Sequence, residues 1–507
     1  MTAPARPVRD AEQRLDTTAV RGAFWLASDQ LGSRAIDVVF SVVLARLLFP
    51  DDFGLFAMAS TSTAFFRLYA NMGLGAAIIQ RREVDDEYLS TAFWTQLGSG
   101  VLLFALIAGL GQALGVFLRD SRVGLLTLVL SSRFIIAAGS ATQVAMISRR
   151  LDFRALALRS MISTGVAGII GIALAASGKG VWSLMGQELG RVVINTALLY
   201  RATGWRPKLS FSWPKFLDLW SFGGPVMLAR LCNYLVRHMD NVLIGRYLGV
   251  VALGFYAFGF TIFAAPLNDM GAIVHRVMFS ALSRLHGDDD RFRRGFLLAT
   301  RYVTMIMMPV MVGLALVATP LITIIFGSKW QPSGSVISIL ALGGFVSMLT
   351  ALGPSGLQAS GRPDLALWRA ILSVAVYVPA FAVGLRWGIT GVAVGYLVAT
   401  IALAPVGYRL VLVATGVTLA EIGAAISPSV VGTLVMAAVV GPARWMLEAA
   451  GLPTLVVLTS LMALGLVTYG ATLWLVQRQA ILGLIQVLRN ALPGSGGRVL
   501  SQVEQVP

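Results

Sequence analysis

One cysteine, Cys232, and three histidines are scattered over 507 residues. A single thiol supports no disulfide framework, and no histidine has a second at ligand spacing, so no metal is expected. Charge is scarce too: only 13% of residues are of ionisable types, about half the share usual in soluble domains. Lysine is nearly missing, with Lys179, Lys208, Lys215 and Lys329 the only ones among 40 cations. No Walker-type phosphate loop occurs, so direct use of ATP is not expected. No polar connection is long enough for a soluble catalytic domain. The polar N-terminus, with Arg6, Arg9 and Arg14, lacks the short apolar core of a cleaved signal peptide.

Apolar residues, by contrast, make up 57% of the chain, and long apolar runs recur from residue 23 almost to the end. A water-soluble globule of this composition is excluded; the bilayer must be the solvent. At about 20 apolar residues per span, helices are predicted at roughly 23–48, 53–79, 90–115, 123–147, 156–177, 181–200, 218–247, 252–280, 296–318, 331–357, 366–386, 389–412, 422–441 and 453–477. The expected fold class is an all-α polytopic membrane protein of about fourteen spans. The stretch 318–345 is the least regular, because Pro320, Gly327 and Pro332 punctuate it and residues 321–326 are too short to cross.

Counting Lys and Arg in alternate connections gives the orientation. One side collects Arg6 to Arg21, Arg81 and Arg82, Arg149 to Arg154, Arg201 to Lys215, Arg284 to Arg294, Arg362, and Arg478 to Arg498; the other holds Arg119, Arg122, Lys179, Lys329 and Arg444, with Arg386 near a span end. Both termini are therefore expected on the cytoplasmic side. The formal charge of +16 sets topology and does not call for nucleic acid.

An internal repeat is present. Arg46, Leu48, Gly54, Phe56 and Ala57 fall opposite Arg246, Leu248, Gly254, Tyr256 and Ala257 without a gap, at an offset of 200 residues. A weaker match sets Ser148, Arg150 and Asp152 against Ser360, Arg362 and Asp364, and Gly180-Val181 against Gly391-Val392. Duplication predicts two six-helix lobes running in the same direction, related by a pseudo-twofold along the membrane normal, with a substrate path between them. The expected domains are a cytoplasmic segment 1–22, an N-lobe 23–210, a C-lobe 211–415, two extra helices in 416–480 and a cytoplasmic tail 481–507.

Ionisable groups within spans are costly and usually face a cavity or a partner. The first span carries Gln30, Arg34, Asp37 and Ser41, and the seventh Arg230, Asn233, Arg237 and Asp240, each set on one stripe of a helix. The offset of the repeat aligns Gln30 with Arg230 and Asp37 with Arg237, as two half-walls of one cavity would require. Arg67 and Asn71 on the second span and Asn268 on the eighth, after Pro266, add to them. With Arg133 included the interior is net positive, which calls for an anion; guanidinium stays charged when desolvated and grips phosphate oxygens two at a time. Asp29, Arg133, Glu188 and Arg191 read rather as ion pairs that fix helix packing. Arg46 and Arg246, at the outer helix ends, need only snorkel to the headgroups. The run Asp288-Asp289-Asp290, followed by Arg291, Arg293 and Arg294, reads as a solvated loop rather than a metal-binding acid motif.

The chain resembles the oligosaccharide flippases of bacterial polysaccharide synthesis, the Wzx-like branch of the multidrug/oligosaccharidyl-lipid/polysaccharide exporter superfamily. The residues that carry the likeness are Ala45 to Ala57, Gly73-Leu74-Gly75 with Ala77 to Gln80, Thr91-Ala92-Phe93-Trp94, Asp240 to Arg246, and Ala281 to Arg284. The resemblance implies two six-helix lobes plus two extra helices around a cavity that opens alternately to each side. It implies, as substrate, an oligosaccharide joined through diphosphate to a polyprenyl carrier, flipped between leaflets of the bacterial inner membrane. It also implies diphosphate binding by Arg34, Arg67, Arg230 and Arg237. Gln30, Asp37, Asn71, Asn233, Asp240 and Asn268 are the remaining cavity and ion-coupling candidates, with Asp37 and Asp240 expected to neutralise neighbouring arginines in an empty cavity and to take up H+ or Na+. No cofactor is expected; the partners would be membrane lipids and other polysaccharide-assembly proteins. A drug extruder of the same fold would have an acid-rich cavity, a polymerase or ligase a large reactive loop, and a scaffold no need of matching polar stripes.

Overall fold

The computed structural model describes residues 32–70, 78, 84–149, 153–215, 234–284, 289–348 and 363–491. Fourteen long α-helices occur among them and no strand. They are α1 (32–47), α2 (Pro50–Ala70), α3 (Asp86–Phe117), α4 (Ser121–Arg149), α5 (Phe153–Ala176), α6 (Val181–Thr203) and α7 (234–247). Then follow α8 (Val250–Arg284), α9 (Asp289–Phe326), α10 (Gln331–Met348), α11 (Pro363–Gly384), α12 (Gly388–Thr415), α13 (Leu419–Ala449) and α14 (Thr454–Ala491). Each coincides with one expected span. Among the described residues nine stretches are long and apolar enough to cross a bilayer; the one covering Trp368–Leu412 holds both α11 and α12. α6 is not among them.

Two boundaries depart from expectation. α9 does not stop near residue 318: it continues through Pro309 and Pro320 to Phe326, and a single 3-10 turn, Ser328–Trp330, leads into α10. Proline is tolerated there because neighbouring helices satisfy the freed backbone groups in a membrane bundle. The run of aspartates is not wholly loop either, since α9 begins at Asp289 and has helical backbone from there.

The chain forms two compact units, residues 1–257 and 258–507. In the first, α3 packs along α4, α5 along α6, and α4 against α6. In the second, α9 packs along α10, α11 along α12, and α10 against α12. The same connectivity thus recurs six helices later, as duplication requires. The hairpins close on glycine: a Cβ on Gly124 would come 2.5 Å from the Gly111 carbonyl oxygen, and one on Gly391 would come 2.1 Å from that of Gly384.

The 200-residue repeat is exact at the level of backbone. α1 ends at residue 47 and α2 starts at Pro50; α7 ends at residue 247 and α8 starts at Val250. In the first copy Pro50 occupies the opening helical position, where its missing N–H costs nothing. Asp52 caps the turn by accepting from the Phe49 N–H at 3.0 Å.

α13 and α14, outside the repeat, are bonded to α9 at several depths. Arg293 pairs with Glu421, which also closes a capping box with Thr418. Arg301 Nε donates to Gln477 Oε1 at 3.1 Å, the Tyr469 hydroxyl to the Met305 carbonyl at 2.6 Å, and Arg444 Nη1 to the Leu316 carbonyl at 2.8 Å.

Candidate functional site

Within the first unit, three helices bring charge together inside the bundle. Glu188 on α6 receives Arg133 Nη1 of α4 at 2.6 Å on one carboxylate oxygen and Arg191 Nη2 at 2.5 Å on the other. Both Arg133 and Glu188 are largely buried, at 19% and 13% side-chain exposure, whereas Arg191 keeps 42%. Asp37 on α1 lies within electrostatic reach of Arg191, Arg34 and Glu188. Among the described residues this network therefore holds three arginines, Arg34, Arg133 and Arg191, and two acids, Asp37 and Glu188. A carboxylate bridging two guanidinium groups is satisfied on both oxygens, which is what makes such a charge tolerable away from water.

Sequence places α1 here by the pattern of its faces. Ser33 shares a hydrogen bond with Ser160 of α5 at 3.2 Å, and Phe40 packs where Gly168 of α5 leaves no Cβ. Val38 and Val39 are exposed. Arg34 and Asp37 are left on the remaining face, half-buried and turned towards the α6 charges.

The seventh-helix stripe divides. Asp240 is 2% exposed, and its Oδ2 accepts from the Tyr256 hydroxyl of α8 at 2.9 Å. Its partner is therefore a tyrosine and not a neighbouring arginine, a correction to the expectation from sequence: three residues along a helix turn the side chain by about 60° relative to Arg237, enough to bring it under α8. Arg237 itself is exposed. Asn241 Nδ2 reaches Thr61 Oγ1 at 3.4 Å and the Tyr234 hydroxyl donates to the Thr61 carbonyl at 2.9 Å, so α7 is seated on α2. The His238 ring stands 4.8 Å from that of Tyr234. The Arg246 guanidinium sits 5.6 Å from the Phe117 ring and 5.8 Å from the Tyr247 ring. Asn268 lies exposed on α8. Arg67 is on α2. Gln30, Asn71, Arg230 and Asn233 lie outside the described residues, as does Asp29.

Residues 204–215, after α6, form a strap over the N-terminal end of α3. Trp94 Nε1 donates to the Lys208 carbonyl at 2.8 Å, Lys208 N to Ser90 Oγ at 3.1 Å, and Ser212 N to Thr91 Oγ1 at 3.1 Å. Lys208 pairs with Asp86 at 2.7 Å, and Lys215 with both Asp85 and Glu87 at 2.7 Å. The ammonium of Lys215 holds the Asp85 carboxyl below its usual range, and Lys215 is raised in return. Thr91 and Trp94, two residues that carry the family likeness, are thus strap anchors.

Arg159 on α5 and Arg369 on α11 were not singled out by the sequence reading, and both are half-buried. The signal for them was the repeat: each is the seventh residue of its helix, and each is followed four residues on by a serine, Ser163 and Ser373.

A duplicated all-helical membrane bundle with a charged interior defines the class of protein. The fold matches that of the lipid II flippase MurJ in an inward closed conformation, with a TM-score of 0.70 over 91% of this chain and all of that one, at 14% identity. Residues 43–335 match the profile of the polysaccharide biosynthesis protein family, and the chain belongs to that family. It is 27% identical over 396 residues to the succinoglycan biosynthesis transport protein ExoT of Rhizobium meliloti, covering 78% of this chain and 80% of that one. The lipopolysaccharide biosynthesis protein WzxC of Escherichia coli is 26% identical over 403 residues, 78% of this chain and 80% of its own. These matches bear out the likeness to the Wzx-like branch.

Proposed function

We propose that the chain is a flippase that moves polyprenyl-diphosphate-linked oligosaccharide units from the cytoplasmic to the periplasmic leaflet of a bacterial inner membrane, by alternating access, for cell-surface polysaccharide synthesis. The observation that carries this reading is that the described residues bring Arg34, Arg133 and Arg191 together around Asp37 and Glu188 within the membrane bundle. A cluster of guanidinium groups within a membrane bundle suits a diphosphate and repels a cationic drug, which sets this reading above a cation-coupled multidrug extruder of the same fold. The names of ExoT and WzxC, both concerned with polysaccharide synthesis, support it.

In this reading no bond of the substrate is broken, so the protein is not an enzyme. Arg34, Arg67, Arg230 and Arg237 bind the diphosphate while the polyprenyl tail stays in lipid. Asp37 and Asp240 take up H+ or Na+, with Gln30, Asn71, Asn233 and Asn268 as further polar contacts. Both termini are cytoplasmic, membrane lipids surround the bundle, and other polysaccharide-assembly proteins receive the product. The test is deletion of the gene in its host with surface polymer and carrier-linked saccharide assayed together. Loss of polymer with lipid-linked units retained on the cytoplasmic side, restored by the wild type and not by Arg237→Ala, is expected. Normal polymer with altered drug tolerance would move the assignment to the extruder.

A further inference from the structure

Arg369 is an intramembrane cation that the network above does not use. It lies six residues past Pro363, the first residue of α11, which is about 9 Å along the helix axis. Trp368 beside it is 53% exposed, whereas Arg369 is half-buried, so the helix turns the indole outward and the guanidinium into the second unit. One turn on, the Ser373 hydroxyl donates to the backbone carbonyl of Arg369 itself. Further along, the Tyr377 hydroxyl is hydrogen-bonded to Thr400 of α12 at 2.9 Å, and that ring lies within electrostatic reach of the guanidinium. Among the described residues no carboxylate stands near Arg369.

An arginine drawn into protein at membrane depth without an acid is costly and marks a functional site by default. The depth adds to the argument. A helix of 22 residues is about 33 Å long, roughly the hydrocarbon thickness. A position about 9 Å in, from the end that the arginine count assigns to the cytoplasm, is inside the hydrocarbon layer, below the level of the bulk lipid phosphates, where a cation needs a partner drawn in with it. Arg159 keeps the same register on α5, so the duplicated chain has retained an arginine here in both halves.

We propose that Arg369, with the Tyr377–Thr400 hydroxyl pair about two turns further along α11, is an anion subsite of the second unit that takes the phosphate-bearing headgroup of the lipid-linked substrate. The proposal rests on the flippase reading and names a binding residue for it. The guanidinium fork engages two phosphate oxygens at once; Thr400 gives its proton to the Tyr396 carbonyl, so Tyr377 donates to Thr400 and its oxygen is left to accept from a sugar hydroxyl. A merely snorkelling cation would be served as well by lysine, whereas a bidentate site would not.

The full-length protein in phosphatidylcholine nanodiscs is titrated with farnesyl diphosphate as the probe, and binding is read from the thermal midpoint. The wild type is expected to bind, Arg369→Lys and Arg369→Gln to weaken binding about tenfold with the ligand-free midpoint unchanged, and Tyr377→Phe to weaken it a few-fold. Inorganic pyrophosphate should compete weakly and phosphatidylglycerol not at all. Undiminished binding by Arg369→Lys, no binding by the wild type, or phosphatidylglycerol competing as well as the diphosphate would each overturn the subsite, the last by making it a place for bulk lipid. Complementation of the deletion strain separates the two readings. If Arg369→Lys restores polymer fully, the subsite fails and the flippase stands; if the wild type has no effect on polymer, the flippase reading fails while the titration still reports on the anion site.

Discussion

Gly54 and Gly254 make the same contact from opposite sides: a Cβ on Gly54 would lie 1.9 Å from the Val250 carbonyl oxygen, and a Cβ on Gly254 would lie 1.9 Å from that of Pro50. Residues 50 and 54 meet residues 250 and 254 reciprocally, the signature of a two-fold relation between equal segments. Backbone approaches backbone here with no side chain between, so the first turns of α2 and α8 cannot be brought together in any other way.

Gly54→Ala and Gly254→Ala are therefore expected to lower the unfolding midpoint, and to do so alike. An overpacked core costs about 1–3 kcal/mol even when side chains can yield, and a carbonyl of the neighbouring helix yields less. Gly98→Ala and Gly109→Ala, with nothing within 4 Å of the new Cβ, should leave stability unchanged or raise it slightly. Equal midpoints for all four variants would contradict the contact.

Glu188→Gln removes the acid that both Arg133 and Arg191 share. The expected loss is about 1–3 kcal/mol, below the figure for a fully buried pair because Arg191 is partly exposed. Thermal unfolding of Arg133→Met, Glu188→Met and the double variant reads the coupling; additive effects would mean that the pair is not formed.

The strap should respond to pH at both ends of the scale. Asp85 is depressed, so its contribution is full above the ordinary carboxylate value of about 3.9 and is lost as pH falls further. Lys215 is raised, so its contribution is full below about 10.4 and is lost as pH rises beyond that. A nitroxide on Leu209→Cys in a Cys232→Ser background should be least mobile between those limits. Mobility independent of pH, or unaffected by Lys215→Met, would refute the anchoring.

Tyr469→Phe deletes the bond from α14 to the Met305 carbonyl of α9. A stability loss of about 1 kcal/mol is expected, with faster hydrogen exchange in α14 than in α11. Unchanged exchange would place the attachment of α14 elsewhere.

Most of the helices were legible because they are long apolar runs between turn residues, a signal that needs no knowledge of neighbours. The end of α9 was not, since proline reads as a breaker in one sequence while the bundle supplies what Pro320 removes. The charged stripe of α1 was visible from spacing, yet its partners were not: Glu188, Arg191 and Arg133 were all noticed, but one sequence does not say that α4 and α6 present them to each other and to Asp37. Asp240 shows the opposite limit. Its position on a stripe with Arg237 was correct in register, and a displacement of three residues was enough to bury it against Tyr256.

The Glu188 bridge also has an order in time. The chain is made from its N-terminus, so Arg133 on α4 is in place before α6 emerges. α6 carries Glu188, Arg191 and Arg201 and falls outside the stretches apolar enough to enter a bilayer by composition. The pairing of Glu188 with Arg133 would then offset part of the cost of carrying that acid into the bilayer, and α4 would serve as the receptor for α6 during biosynthesis.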